Sequence, residues 1–309
     1  MKKNIIVQIS EGLGNQLFMY AHAYALSKKF DRNLLIDNTS GYYKEKNLLR
    51  PHQKYMLDFF NISNDFAPIN LKFDTLSKNI LKKFLIFADK FKENKSFLNE
   101  SYKRINNKKL VFNLNFNDIK PDKNLYVSGN FENENFFDQY KKDLINFFSP
   151  QVKFINNNLS IISELKNTNS ISVHIRRNRF CDQKGLINSE NKVKSDIFTT
   201  QIINYINRSI NYINKNVKNP KYFIWSNDFT NFEEISNKLN VDDFKLVKNN
   251  DPINDFYLFK FAKHFIVGPS SYHWWGAWLN ESKNKYCLRP SDINPSNNSK
   301  FWPDNWVSI

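Results

Sequence analysis

The chain has 309 residues, 41% of them hydrophobic and 16% aromatic, which is enough for a sizeable buried core and too many for a disordered chain. Only two cysteines, Cys181 and Cys287, exclude a disulfide scaffold and a cysteine-rich zinc site. The net charge of +15 admits nucleic acid, an anionic membrane or an acidic small molecule as partner. Residues 1–150 carry 24 bases and 16 acids, and the rest 21 and 14, so no basic tail singles out one of them.

The first elements read strand, tight loop, helix, strand. Asn4 to Ile9 is a short apolar run, and Leu17, Tyr20, Ala21, Tyr24 and Ala25 follow it at the spacing of one helix face. Asn33 to Asp37 reads as a second strand. Leu76 to Phe91 carries Leu76, Ile80, Leu81, Phe84, Leu85, Ala88 and Phe91 at helical spacing, with lysines 78, 82, 83, 90 and 92 between them, an amphipathic basic helix. Residues 72–109 hold 11 bases and 4 acids, almost all of the first half's excess. Lys103 to Lys109 reads as loop, Leu125 to Gly129 as a strand, and Phe136, Phe137, Tyr140 and Phe147 as an aromatic helix.

Ser149-Pro150 is the expected boundary, because proline stops the preceding helix. Beyond it, strands at 170–176, 222–225, 244–247, 264–267 and 285–288 alternate with helices at 196–216, 229–239, 254–263 and 272–280. Such alternation in both halves predicts two parallel sheets with helices on their faces, and a ligand crevice near the carboxyl ends of the strands.

Four segments carry chemistry. Gly12-Leu13-Gly14-Asn15-Gln16 lies between a strand and a helix, where glycines admit a ligand to the backbone and the helix N-terminus favours an anion. Asp37 follows Gly14 at the distance where a dinucleotide fold places its ribose acid, although Leu17 occupies the third glycine position. His174, Arg176 and Arg177 end the strand at 170–176, and permanently charged, bidentate guanidiniums there suit a pyrophosphate. Gly268-Pro269-Ser270-Ser271-Tyr272-His273-Trp274-Trp275-Gly276-Ala277-Trp278 opens a helix whose first serines can cap it or hold phosphate, with Trp275 and Trp278 read as core. Asn227-Asp228 ends another strand, where Asp228 either caps the next helix or accepts hydrogen bonds from a base or ribose. No Asp-x-Asp pair and no zinc-ligand histidine spacing occur, so arginine rather than a metal is expected to neutralise a leaving phosphate. The rival readings are a non-catalytic or dinucleotide-binding Rossmann protein and, on charge alone, a nucleic-acid binder.

Gly12-Leu13-Gly14-Asn15-Gln16-Leu17-Phe18, His174-Ile175-Arg176-Arg177 and Ser270-Ser271-Tyr272-His273-Trp274-Trp275-Gly276-Ala277-Trp278-Leu279 resemble, in order, the signature blocks of the α-1,2-fucosyltransferases of glycosyltransferase family 11. Gly129-Asn130-Phe131 resembles the family's mid-chain block. The resemblance implies a GT-B fold of two Rossmann-like domains facing a central cleft, residues 1–150 on the acceptor side and 151–309 binding GDP-L-fucose. It implies transfer to the 2-hydroxyl of a terminal galactose with inversion, no metal and no cofactor beyond the donor. Carried over, Arg176 binds the β-phosphate with Arg177 beside it, His174 shapes the pocket, Ser270 and Ser271 hold phosphate, Asp228 sits near the guanosine, and Asn227 belongs to the donor site. Gly14 and Tyr272 join the donor site, and Asn15 the reacting centre.

Three departures from the family pattern stand out, and the first two bear on the base. Asn178-Arg179 stands where the family has Gly-Asp, which makes Asp182 the nearest substitute acid. Glu11 replaces the first glycine of a Gly-Gly pair and is a second candidate base. Tyr272-His273 replaces an aromatic-Ser pair. No run of about 18 apolar residues is present and the thiols are few, so a cytoplasmic enzyme working on surface glycans is expected. Its basic helix either rests on the anionic inner membrane, where lipid-linked acceptors lie, or packs into the core with its lysines in water.

Overall fold

The computed structural model describes residues 2–43, 54–92, 94–105, 109–112, 123–154, 159–181, 188–248, 251–296 and 298–309. The chain forms two compact units, one of Met1–Ser149 with Ser296–Pro303 and one of Pro150–Pro295 with Asp304–Ile309. The division falls at Ser149-Pro150, but Ser296–Pro303 returns to the first unit. There the Phe301 ring lies 6.3 Å from that of Phe18, and the Asn298 side-chain amide donates to the Glu132 carbonyl at 2.8 Å.

The first unit contains β1 (Asn4–Gln8), α1 (Leu13–Lys29), β2 (Asn33–Asp37), α2 (Leu76–Asp89), β3 (Phe97–Asn99), β4 (Tyr102–Ile105), β5 (Lys109–Phe112), β6 (Leu125–Ser128) and α3 (Lys141–Phe147). Its sheet runs β2-β1-β6-β3, every pair parallel. The apolar run of β1 is buried because parallel strands are covered on both faces. α1 goes further than its periodicity predicts and is buried on all sides, Gln16 and His22 included. The buried Gln16 amide is therefore fully used: it donates to the carbonyls of Glu11 (2.8 Å) and Lys54 (2.7 Å) and accepts from the Met56 N–H (2.9 Å).

Segment 103–109, expected as loop, instead contributes to β4 and β5, which pair antiparallel. That pairing rests on backbone hydrogen bonds, to which side-chain polarity is a poor guide. The expected aromatic helix is two 3₁₀ turns at Glu134–Phe136 and Asp138–Tyr140 followed by α3.

The second unit contains α4 (Leu159–Asn167), β7 (Asn169–Ile175), α5 (Ser189–Asn216), β8 (Pro220–Ser226), α6 (Glu233–Ser236), β9 (Phe244–Leu246), α7 (Pro252–Phe259), β10 (His264–Ile266), α8 (Ser271–Leu279), β11 (Cys287–Arg289) and β12 (Val307–Ser308). Its sheet runs β12-β11-β10-β7-β8-β9, all parallel. Three strands step one way from β7 and two the other, so the strand order reverses beside β7 as in a doubly wound Rossmann sheet. On α5, Ile202, Ile203, Ile206, Ile210 and Ile213 pack on Ile171, Val173 and Ile175 of β7. Ile197 is exposed because it falls off that stripe. The helix expected at 229–239 shrinks to the single turn of α6. Among the described residues, no helix is long and apolar enough to cross a membrane.

Candidate active site

In an open parallel sheet, ligands bind outside the carboxyl ends of the strands, where the strand order reverses. In the second unit that point lies between β7 and β10. The family-like blocks occupy both ends: Arg176 and Arg177 leave β7, and Gly268 to Ser271 leave β10. The two turns are in close contact. A Cβ at Gly268 would come under 3.0 Å from the His174 carbonyl oxygen, a backbone atom of β7.

His174 is buried, its ring 5.3 Å from that of His273. Burial first, and then the Arg176 charge, pull it down to about 3, so it is neutral at any physiological pH. Its Nδ1 has no hydrogen-bond partner among the described residues. Buried His273 meets Ser172 Oγ through Nε2 at 2.9 Å, and burial, with His174 beside it, lowers its pKa well below the ordinary value. Arg176 is half-buried at the strand end.

Arg177, one residue on and also beyond the end of β7, reaches toward the turn after β8. Its Nη1 donates to the Asp228 carbonyl at 3.3 Å and to that of Thr230. Asn227 grips the Arg177 backbone from both sides, accepting its N–H at 2.7 Å and donating to its carbonyl at 3.2 Å. Asp228 is not a helix cap. Its carboxylate accepts from the Thr230 N–H (2.8 Å) and the Asn178 amide (2.7 Å). The pKa of Asp228 is lowered: burial opposes this, while hydrogen bonds from Thr230 and the Arg177 charge prevail. These residues lock the ends of β7 and β8 together.

Ser270 is the N-cap of α8, yet its hydroxyl makes no capping hydrogen bond. Ser271 opens the helix, and the Tyr272 hydroxyl donates to the Pro252 carbonyl on α7. The N–H groups and dipole of a helix first turn favour an anion, and the Ser270 hydroxyl does not cap this one. Trp274, Trp275 and Trp278 are core. Arg179 has a role its sequence position did not reveal. It donates to the carbonyls of Pro269 (3.4 Å) and Pro295 (2.8 Å), and its guanidinium lies 5.0 Å over the Phe198 ring.

The first unit has a corresponding turn at the end of β1. Glu11 has φ +61, the left-handed region that glycine adopts readily and other residues adopt at a cost of roughly 1–2 kcal/mol. The Asn15 amide donates to its carboxylate, and its carbonyl accepts from Tyr42 Oη at 3.2 Å. Gly14 is buried as the second residue of α1. At the end of β6, Glu100 accepts from the N–H groups of Asn130 (2.6 Å) and Phe131 (2.8 Å) and from the Tyr102 hydroxyl. Burial, then Glu100, Glu132 and Glu11, push that hydroxyl's pKa up. Neither Glu100 nor Tyr102 stood out in the sequence; the turn they serve, Gly129 to Phe131, is the available signal. Asp182 lies outside the described residues.

The dinucleotide reading loses its ribose acid. Asp37 is fully buried, accepting from Tyr126 Oη at 2.7 Å and from the N–H groups of Thr39 (3.2 Å) and Ser40 (3.0 Å). Among the described residues, no three His, Cys, Asp or Glu side chains are grouped to hold a metal ion.

The profile of Glycosyl transferase family 11 matches residues 4–309. The chain belongs to this family. It is 28% identical over 313 residues to an Escherichia coli alpha-1,2-colitosyltransferase, covering 99% of this chain and 98% of that protein. It is 27% identical over 322 residues to the O-antigen biosynthesis glycosyltransferase WbnK of Escherichia coli, covering 97% and 99%. Among solved structures it resembles a mutant of Arabidopsis thaliana FUT1 in complex with GDP, with a TM-score of 0.50 and 10% identity over 95% of this chain and 72% of that one. The fold is accordingly α/β of the GT-B type, with two Rossmann-like units, and the chain is a glycosyltransferase of family 11.

Proposed function

We propose that this glycosyltransferase moves L-fucose from GDP-L-fucose to the 2-hydroxyl of a terminal galactose on a lipid-linked surface glycan, with inversion and without a metal or cofactor. The observation that carries this reading is Arg176 and the uncapped N-terminus of α8 at one switch point, in a family 11 chain. The acceptor hydroxyl attacks the anomeric carbon, the bond from that carbon to the β-phosphate oxygen breaks, and GDP leaves with the electron pair. Arg176 and the α8 N–H groups, with Ser270 and Ser271, take up the charge that builds on the departing phosphate. Arg177, Asn227 and Asp228 hold the strand ends that present it, and neutral His174 adds no second positive charge beside Arg176.

Glu11 receives the acceptor proton. Its carboxylate, held by the Asn15 amide in the turn that follows β1, supports this role. The names of the two relatives support an α-1,2 linkage and an O-antigen-type acceptor. The first of them favours colitose as a second sugar to test.

The experiment is transfer from GDP-fucose and GDP-colitose to a panel of β-galactosides, with the product linkage determined. Arg176→Ala is expected to lower transfer at least about 10²-fold. Undiminished transfer overturns the role of Arg176, and activity that EDTA abolishes and a divalent metal restores overturns the metal-free mechanism.

A further inference from the structure

A helix with apolar residues at this spacing ordinarily turns them to the core. α2 does the reverse, since its buried residues are Lys82 and Asp89. Lys82 Nζ donates to Gln8 Oε1 at 2.5 Å and lies 4.5 Å from the centre of the Tyr126 ring. Burial pulls this ammonium down to about 8, opposed by Asp37. The Asp89 carboxylate accepts from the N–H groups of Ser96 and Phe97 at 3.0 Å, and Thr75 caps the helix by accepting from the Lys78 N–H at 3.3 Å. Polar bonds thus fasten α2 to the first unit.

Leu76, Ile80, Phe84, Phe87 and Phe91 point outward, 68, 48, 68, 61 and 79% exposed. Their spacing of four, four, three and four residues makes one continuous stripe. Ile69, 75% exposed, borders its start, where Lys78 Nζ donates to the Ile69 carbonyl at 3.1 Å. At 100° per residue, Lys83 and Lys90 project along one flank of the stripe, and neither enters an ion pair among the described residues. Lys92, beyond the end of the helix, lies 3.9 Å from Asp89.

We propose that this stripe seats the protein on an anionic lipid surface, with α2 in the plane of the headgroups, its aromatic and aliphatic side chains in the acyl boundary and its lysines at the phosphates. Large apolar side chains fixed in water are unfavourable, and the polar anchors leave α2 no means of turning them inward. Charge selects the occupant. A two-fold contact with a second copy would set lysine against lysine on a chain of net charge +15, whereas an anionic bilayer neutralises them.

The test is flotation of the full chain, at low salt, with vesicles of equal phosphatidylglycerol and phosphatidylcholine and with phosphatidylcholine alone. The wild type is expected to partition at least tenfold better to the anionic vesicles. The double change Phe84→Glu, Phe87→Glu is expected to cut that partition more than tenfold, and Lys83→Glu or Lys90→Glu roughly fivefold or more each. All these positions face solvent, so melting temperature and transfer to a water-soluble acceptor stay at the wild-type values. Because binding is read without turnover, the result stands apart from the transferase reading. No anionic partition by the wild type, or unchanged partition by the phenylalanine pair, overturns the proposal. A dimer in light scattering that Phe84→Glu dissolves, with vesicle binding unaffected, assigns the stripe to a second copy and also overturns it.

Discussion

Gly268→Ala tests the packing of the strand ends of β7 and β10, which meet at the switch point of the second sheet. The added Cβ would lie under 3.0 Å from the His174 carbonyl oxygen. That atom belongs to β7, which is paired on both sides by β8 and β10 and so cannot swing aside as a side chain would. Gly268 is itself held, because its carbonyl accepts from the Ser270 N–H at 2.7 Å and Val267 before it donates to Leu288 at 2.9 Å. Overpacking against fixed backbone costs about 2–3 kcal/mol, or roughly 4–12 °C in the melting temperature of a unit this size. Relief by moving the turn would displace Ser270 and α8, so transfer should fall as well. The control is Gly12→Ala. Gly12 stands in the same kind of strand-to-helix turn, but nothing lies within 4 Å of the place an added methyl would take, and its φ of −82 suits any residue. Loss of glycine as N-cap there costs about 0.5–1 kcal/mol, well under the overpacking at Gly268. Calorimetry of both variants beside the wild type decides the matter. If Gly268→Ala melts with the wild type, or Gly12→Ala falls as far as it does, the close-contact argument is refuted.

Arg177→Ala should behave unlike Arg176→Ala. Losing the bonds to Asp228 and Thr230 is expected to lower stability by about 1–2 kcal/mol, with a smaller loss of GDP affinity than Arg176→Ala causes. A titration of GDP that ranks them the other way would count against this division of labour. Glu11→Gly relieves the left-handed strain, offset by the greater freedom of glycine in the unfolded chain, so urea stability should stay level or rise by up to about 1 kcal/mol. Transfer should fall in the same variant, and full activity would remove Glu11 as the proton acceptor. Acid should destabilise the fold early. His22 and His174 are held down to about 3 by burial, against an ordinary value of 6.5, so between those pH values the unfolded chain binds protons that the folded chain refuses. Stability is full above about 6.5 and falls on acidification by roughly 1.4 kcal/mol per pH unit for each such histidine. Equal urea midpoints at pH 7.5 and pH 5 would contradict this.

Much of the fold was legible because long parallel strands and helices announce themselves. β2 spans the expected Asn33–Asp37, and β7 and β8 lie within a few residues of their expected ends. What escaped was short or paired through backbone alone. β12 has only two residues, too few for any alternation to register, and β3 has three. The β4–β5 pairing joins a segment that reads as polar loop. At the site, the blocks and their order were readable, but not which side chains the framework itself consumes. Arg176 and Arg177 are neighbours of identical chemistry, and only the positions of Asp228 and Thr230 draw the second into the β8 turn. Arg179, which looks in sequence like the loss of an acid, reaches Pro269 and Pro295 across separations of 90 and 116 residues.

Sequence alone was sufficient for the alternation of strands and helices, the order of the glycine, arginine and tryptophan blocks, and the family they belong to. These are properties of neighbouring residues, written in local periodicity and spacing. The tertiary structure decided the direction of each face and the necessity of each glycine. Periodicity fixes which residues of α2 share a side, but only the bonds from Lys82 to Gln8 and from Asp89 to the turn before β3 determine that the apolar side looks out. Gly12 and Gly268 look alike in their motifs, and they differ because a strand distant in sequence passes close to one and not the other.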